Sequence, residues 1–189
     1  MIKICKYISN KKLGEIMLKL QDKGAHNINL VSPSHYVLAI KEALKIYKPK
    51  IPIVYNSSGY DNEESLEMLK DYIDIFLLDL KYLSSDRARL YSSAADYPEV
   101  AKKAILKAYK LQDKCIIENG IMQKGVIIRH LVLPKNTNQS IEILSYIKNN
   151  LGEDTTISLM SQYTPMEGMP RPLDRTVTTA YDAEDHILS

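Results

Sequence analysis

Cysteine is scarce in this sequence, and long apolar runs and blocks of like charge are absent from it. The 189 residues include 2 cysteines, Cys5 and Cys115, which lie too far apart in the chain to suggest a disulfide framework. We expect both to be free thiols. No apolar run approaches the roughly 20 residues that are needed to cross a bilayer, so we expect no membrane span.

The charge distribution and the first residues exclude two further classes of protein. The net charge of +2 is spread over segments of mixed sign, without a basic block interleaved with aromatic residues. Nucleic acid is therefore not an expected partner. The N-terminal sequence MIKICKYISNKK lacks an apolar segment followed by a small-residue cleavage site, so it does not resemble a secretory signal. We expect a cytoplasmic location.

Segments with helical spacing of apolar residues alternate with short apolar segments along the chain. The spacing of apolar residues predicts a helix over residues 11–23, which Gly24 ends in a left-handed conformation. The predicted strands are NINLVS, IPIVYN, IDIFLLDLK, VIIRHLVLP and TTISLMSQY, and helices are predicted between them. A hairpin is predicted about residues 118–120, Pro98 is expected in a first helical turn, and Ser140 is expected to cap the last helix.

This alternation predicts an α/β protein with five parallel strands and flanking helices. Parallel neighbours need a crossover long enough to hold a helix, and both faces of such a sheet are expected to be buried. The length fits one domain, residues 1–189. From about residue 164 the proline- and glycine-rich segment TPMEGMPRPLDR is expected to form a loop, followed by a short C-terminal tail.

Polar side chains lie at or near the C-terminal end of every predicted strand. They are Ser32, Ser34 and His35 after the first strand, Asn56, Ser57 and Ser58 after the second, Asp79 and Lys81 on the third, Arg129 and His130 in the fourth, and Ser161 and Gln162 on the fifth. Ligands bind at this edge in α/β barrels and open parallel sheets. The pattern therefore predicts a binding site at that edge.

Arg129 needs a partner for its charge. Alternate strand residues share a face, so Asp79 and Lys81 project to one side, whereas Arg129 and His130 point in opposite directions. An unpaired buried guanidinium costs several kcal/mol. Arg129 is therefore expected to pair either with Asp79 or with the carboxylate or phosphate of a ligand. The segment from Asn56 to Gly59 is expected either to form a turn with Gly59 at positive φ or to bind a ribose or another hydroxyl-rich group.

The sequence lacks the motifs of two kinds of catalytic site, the zinc site and the serine hydrolase site. The histidines, among them His26, His35 and His130, show no ligand spacing of the kind that zinc sites use, so they are expected to be structural or surface residues. The serines at the strand ends lack the G-x-S-x-G elbow of hydrolases.

Six segments together resemble, in order, radical SAM proteins related to pyruvate formate-lyase activating enzyme. They are GAHNINLVSPSHY, PIVYNSSGY, DIFLLDLKY, YSSAADYPEVAKKAI, GVIIRHLVLP and SLMSQYTP, and the resemblance covers residues 13–175. It implies a partial TIM barrel that binds S-adenosylmethionine and a [4Fe–4S] cluster at the C-terminal ends of the strands. That edge is the one already predicted to hold a site.

The resemblance also implies roles for nine residues in binding the cofactor. These are Ser32, Ser34 and His35 in a loop facing the methionyl amine, Asn56 and Ser57 near the ribose, Asp79 and Lys81 in an Asp-Leu-Lys motif, Arg129 facing a carboxylate, and Gln162 near the substrate opening. No catalytic residue and no metal ligand is assigned in this chain.

The cluster motif of such proteins is missing. A [4Fe–4S] cluster is held by cysteine thiolates, and the sequence has no C-x-x-x-C-x-x-C. Its start resembles the sequence just after that motif, with Cys5 as a remnant of the last ligand. The resemblance therefore implies an N-terminally truncated chain that lacks the first barrel strand and does not hold a cluster unaided.

Three functions are expected on these grounds. The first is that the intact protein cleaves S-adenosylmethionine reductively to a 5'-deoxyadenosyl radical, using an electron donor and an unknown substrate, for which a glycyl-radical-type protein is one candidate. The second is a non-catalytic module that binds S-adenosylmethionine or a partner. The third is a metal-dependent TIM-barrel hydrolase that uses the histidines.

Overall fold

The elements alternate along the chain, as expected from the sequence. The computed structural model describes residues 7–165, 168, 172, 173, 176 and 177; Cys5 and most of the predicted tail lie outside these ranges. The helices are α1 (Asn10–Asp22), α2 (Val37–Ile46), α3 (Glu63–Leu69), α4 (Ser85–Ser92), α5 (Tyr97–Leu111) and α6 (Thr137–Leu151), with a 3₁₀ helix at Pro33–Tyr36. The strands are β1 (Ile28–Val31), β2 (Ile53–Ser57), β3 (Ile75–Asp79), β4 (Ile116–Glu118), β5 (Ile121–Leu131) and β6 (Thr156–Met160).

The six strands form one mixed sheet that is mostly parallel. Strands β1, β2, β3, β5 and β6 are parallel and adjacent in that order, and β4 is antiparallel to the first part of β5. The α/β class, the five parallel strands and the hairpin are confirmed. Within the described residues β1 and β6 each pair with one neighbour, so the sheet is open and a TIM barrel is not formed.

The helices cover one face of the sheet. The strand residues in the hydrophobic core alternate along each strand and share one face, as Tyr55, Phe76, Leu78 and Ile128 do. Right-handed crossovers between parallel strands that follow one another in chain order place all helices on the same side. We call the opposite side the open face. Val54, Asn56 and Ile75 are buried on this face, whereas Val31 there is 70% exposed, so the prediction that both faces are buried holds at β2 and fails at the edge strand β1.

Most helix ends agree with the sequence pattern, but one cap does not. Gly24 follows α1 with φ +83°, and the Pro98 ring lies in the first turn of α5, as predicted. Ser140 was expected to be the N-cap of α6, yet the cap is Asn136 and Ser140 lies one turn inside the helix. The Ser140 hydroxyl instead contacts His130, because α6 packs against β5 at this point. The sequence also did not predict α4 or the 3₁₀ helix.

In the described ranges, none of the helices is long and apolar enough to cross a membrane.

Candidate functional site

Four of the predicted site residues meet on the open face, at the C-terminal ends of β2, β3 and β5. Arg129 Nε donates to Asp79 Oδ1 at 2.5 Å, and Arg129 Nη2 donates to Asn56 Oδ1 at 3.1 Å. Lys81 Nζ lies 3.8 Å from Asp79 Oδ2. The contacts follow from the register, because Asp79 is the direct neighbour of Arg129 in the parallel sheet. We call Asn56, Asp79, Lys81 and Arg129 the Arg129 cluster.

The Arg129 cluster carries one more positive than negative charge. Asp79 is the one carboxylate among its members, and its side chain is 14% exposed, against 26% for Arg129 and 40% for Lys81. A guanidinium has five N–H donors, and Arg129 uses two of them on the described residues. The ion pair with Asp79 that the sequence left open is formed, and the remaining donors can still meet an anionic group.

Tyr97 and Gly59 contact the backbone that carries the cluster residues and so fix its position. The single O–H of Tyr97 is shared between two acceptors, the carbonyl oxygens of Ser58 at 2.8 Å and Asp79 at 2.9 Å, and the hydroxyl oxygen accepts from the Lys81 N–H at 3.1 Å. Burial raises the pKa of Tyr97, so the hydroxyl stays protonated and remains a donor. Gly59 has φ +78°, and a Cβ there would lie 2.1 Å from the Asp79 carbonyl oxygen. The turn after β2 therefore needs glycine to pass this close to β3.

Lys81 is anchored through its backbone to two helices. Gln139 of α6 donates its Nε2–H to the Lys81 carbonyl at 3.1 Å, and its Oε1 accepts from Arg87 Nη1 of α4 at 2.9 Å. Sequence reasoning missed both Gln139 and Tyr97: Gln139 stands in no recognisable motif, and Tyr97 lies in the quoted segment YSSAADYPEVAKKAI but was given no role. Their contribution depends on contacts between segments that are far apart in the chain.

His130 points away from Arg129, as the alternation predicts. Its Nδ1–H donates to the Leu80 carbonyl at 2.8 Å, because a carbonyl can only accept. The Nε2 atom of the neutral ring then accepts from the Ser140 hydroxyl at 2.9 Å. Burial lowers the pKa of His130, more than the Leu80 hydrogen bond and the Asp79 charge raise it. His130 is a structural residue of the core, in line with the expectation for the histidines.

Ser57 does not join the Arg129 cluster, although it follows Asn56 directly. Consecutive strand residues point to opposite faces, and Ser57 donates to the buried carboxylate of Asp61, which also accepts from the Tyr55 hydroxyl at 2.8 Å. The Ser57 hydroxyl in turn accepts from the Gly59 N–H at 3.1 Å. Ser57 and the buried Asp61, which the sequence did not single out, therefore shape the turn after β2.

The remaining predicted site residues make no side-chain hydrogen bond to the cluster in the described part of the chain. Ser32 has φ +53° and donates its N–H to the Asn56 carbonyl at 2.8 Å, so the loop after β1 starts beside the cluster. Ser34 is half-buried and His35 is exposed in the 3₁₀ helix that follows. Gln162 is exposed just after β6.

The described residues do not fit an iron–sulfur cluster or another metal ion at this edge. Cys115 is exposed, and its Sγ lies 3.9 Å from Thr156 Oγ1 at the start of β6, the opposite end of the sheet from the Arg129 cluster. In the part of the chain that the structure describes, no group of three or more His, Cys, Asp and Glu residues is placed to hold a metal. The charges of the Arg129 cluster suit instead the carboxylate of an organic ligand.

Comparison with known proteins identifies a structure with a similar fold but does not identify a function. No family model matches the chain. An uncharacterised protein of Methanocaldococcus jannaschii is 28% identical over 158 residues, which are 82% of this chain and 42% of the relative. The crystal structure of SuiB from Streptococcus suis superposes with a TM-score of 0.56 at 17% identity, over 88% of this chain and 36% of SuiB. The chain thus spans about two fifths or less of these proteins.

These comparisons correct the family assignment made from the sequence. The six segments were taken to resemble radical SAM proteins, but no family model matches them and the curated relative is uncharacterised. At 17% identity the likeness to SuiB shows the fold alone. The assignment to radical SAM proteins is therefore wrong by these findings, and what is shown is a mixed α/β fold.

Proposed function

We propose that the Arg129 cluster and the adjoining open face form a binding site for S-adenosylmethionine, and that the chain is a binding module. The observation that carries this proposal is the meeting of Asn56, Asp79, Lys81 and Arg129 in one hydrogen-bonded group with an excess positive charge. An amino-acid carboxylate would bind the free N–H donors of Arg129 and the ammonium of Lys81.

The surroundings of the cluster suit the rest of such a ligand. Leu77 and Ile127 lie two residues before Asp79 and Arg129 on the same face, and both are half-buried. A site with an apolar floor and a few polar groups at one end is typical of small-molecule pockets. The adenine would lie on this floor, with the carboxylate at the cluster and the sulfonium group between them.

The proposal also includes a curved sheet, as in the partial TIM barrel that the sequence predicts. Five parallel strands in chain order with helices on one face are the arrangement from which barrels are built, and their ligands bind at the C-terminal ends of the strands. The open face would then be the inner, concave side. This supports placing the ligand there. Cys115, the one cysteine among the described residues, lies at the opposite end of the sheet and could not ligate a cluster at this site.

Calorimetric titration with S-adenosylmethionine tests the proposal. We expect saturable binding that Arg129→Ala weakens roughly tenfold to a hundredfold, because a hydrogen bond to a charged group contributes about 1.5–3 kcal/mol. 5'-Methylthioadenosine lacks the carboxylate, so the same substitution should change its affinity much less. Failure of the native chain to bind S-adenosylmethionine would refute the proposal.

Two further variants separate binding from folding. Lys81→Gln removes a half-exposed charge of the cluster and should also weaken S-adenosylmethionine binding, with little effect on thermal stability. Arg89→Ala removes an exposed arginine of α4 that pairs with Asp86, away from the cluster, and should leave the affinity unchanged. Equal losses in the Arg89 and Arg129 variants would show that charge in general, and not this site, governs binding.

Two other expectations from the sequence stay predictions. They are the cytoplasmic location and the reductive cleavage of S-adenosylmethionine with its electron donor and substrate protein, on which no observation bears. The metal-dependent hydrolase has no supporting site among the described residues.

A further inference from the structure

The β4–β5 hairpin presents isoleucine side chains to solvent at the end of the sheet where the parallel strands begin. Ile116 is 39% exposed, Ile117 58% and Ile121 37%. The turn is tight, because Asn119 with φ +51° and Gly120 with φ +79° are the two residues between the strands, as in a type I′ hairpin. Exposed apolar side chains grouped on one short ribbon are typical of an interaction surface.

The outer edge of β4 carries no further strand in the described part of the chain, where β4 pairs with β5 alone. Glu118 and Ile121 close the two-residue turn as a hydrogen-bonded pair, so the preceding residue, Ile117, directs its N–H and C=O away from β5. The extra residue of the bulge is Gln123 of β5, so β4 itself stays regular. Such an edge can pair with another strand.

Charges of opposite sign lie at the two ends of β4. Glu118 is its last residue, Lys114 stands two residues before its first, and both are exposed. Neither forms an ion pair with another described residue. Residues two apart in a strand share a face, so Lys114, Ile116 and Glu118 project to one side. Ile117 projects to the other.

This arrangement makes β4 complementary to itself. In an antiparallel pair of two copies with a two-fold axis at Ile116, Lys114 of each copy lies opposite Glu118 of the other. The two Ile116 side chains meet between these charges. Ile117, with its outward N–H and C=O, lies opposite Cys115 of the other copy and exchanges hydrogen bonds with it. The edge strands β1 and β6 contain no charged residue, so they offer no such match.

We infer that the β4 edge binds a second copy of this chain, which pairs antiparallel with it and joins the two sheets. One short strand from each copy forms a contact smaller than a standard protein interface, so we expect a weak dimer with a dissociation constant on the order of 10–100 µM. The contact uses none of the residues of the proposed S-adenosylmethionine site.

Sedimentation equilibrium of the native chain from about 5 to about 500 µM tests the inference, and we expect a reversible equilibrium of monomer and dimer. Lys114→Glu places two carboxylates opposite each other at both ends of the contact, and Glu118→Lys places two ammonium groups there. Like charges directly opposite repel, so each variant alone should dimerise roughly tenfold more weakly.

Mixing the two variants makes the test specific to this pairing. Equimolar Lys114→Glu and Glu118→Lys chains carry opposite charges at both ends of the contact, so together they should form a heterodimer with about the native affinity. This recovery would also show that both variants fold. Lys103→Glu reverses an exposed charge of α5 and should leave dimerisation unchanged.

Three results would overturn the inference. They are a native chain that stays monomeric at all these concentrations, a dimer that neither charge reversal weakens, and a mixture that associates no better than each variant alone. The first would mean that the β4 edge pairs with a strand of a different protein or with none. None of them bears on S-adenosylmethionine binding at the other end of the sheet.

Discussion

Arg129 and His130 are consecutive residues with opposite electrostatic surroundings. Arg129 points to the open face, where Asp79 and Asn56 accept its hydrogen bonds and solvent still reaches part of it. His130 points into the helical layer and is buried as a neutral ring between Leu80 and Ser140. One strand thus supplies a charged group to the proposed site and an uncharged one to the core.

The buried state of His130 makes stability depend on pH. Its pKa is lowered from the ordinary value of 6.5 because burial disfavours the charged ring. Below pH 6.5 this histidine therefore binds a proton in the unfolded chain but remains neutral in the native chain. The free energy of unfolding falls as a result. The stabilisation is complete above this pH and is lost at up to about 1.4 kcal/mol per pH unit as the pH falls toward the lowered pKa.

Urea unfolding between pH 7.5 and about 5 measures this dependence. His130→Gln should remove much of the slope in that window, whereas His35→Gln, which changes an exposed histidine, should retain it. A native slope that His130→Gln leaves unchanged would assign the effect to other groups.

The turns after α1 and after β2 both use glycine with positive φ, but for different reasons. Gly24 has φ +83° and nothing within 4 Å of an added Cβ, so it serves backbone conformation alone. Gly59 has φ +78° and lies against the Asp79 carbonyl, which the Tyr97 hydroxyl also contacts. The second turn therefore fixes the relative position of β2 and β3 at the Arg129 cluster.

Substitution by alanine separates these two roles. Gly24→Ala should cost about 1–2 kcal/mol of unfolding free energy, the usual penalty for a left-handed alanine. Gly59→Ala should cost clearly more, because the Cβ overlaps a backbone oxygen that cannot move without displacing Asp79. The comparison is made by urea unfolding of both variants; equal losses would show that the close approach to Asp79 is not maintained.

The whole molecule is asymmetric, with a helical layer on one side of the sheet and an open face on the other. Leu77 and Leu78 test this asymmetry because they are adjacent in β3 and point to different sides. Leu78→Ala should cost about 2–5 kcal/mol, since Leu78 is fully buried and its loss leaves a cavity. Leu77→Ala should cost about half of that or less, since Leu77 remains partly exposed.

The two losses are compared under the same conditions by urea unfolding. A cost for Leu77→Ala that matches the cost for Leu78→Ala would mean that the open face is as well packed as the helical one. Such a result would also remove the room that the proposed S-adenosylmethionine site needs.

The predicted elements depend on local patterns, and the missed ones lack such a pattern. The helical stripes and apolar strands are readable because burial on one side repeats every 3.6 or 2 residues. The sequence of α4, SDRARLYS, carries few apolar residues, and the 3₁₀ helix is too short for a period. Ser140 was misassigned as a cap because it stands directly before an apolar stripe, as N-cap serines do. The local sequence does not show that its hydrogen-bond partner is His130.

The candidate site could be predicted in part. Asn56, Asp79, Lys81 and Arg129 were expected at one edge because parallel strands end together, and the structure brings them into contact. Ser57 was also expected there, but side chains alternate between the two faces of a strand, so Ser57 points to the other face and donates to Asp61. The family assignment, which rested on motif likeness alone, did not hold.

The sequence by itself determined the α/β class, the five parallel strands and the edge at which charged side chains gather, because these follow from periodicity and from the order of elements along the chain. Only the tertiary structure decided that one face of the sheet is open, that Asp79 pairs with Arg129, and that Tyr97, Gln139 and Gln112 hold polar contacts across the fold. Those outcomes depend on register and on packing between distant segments, which no local pattern encodes.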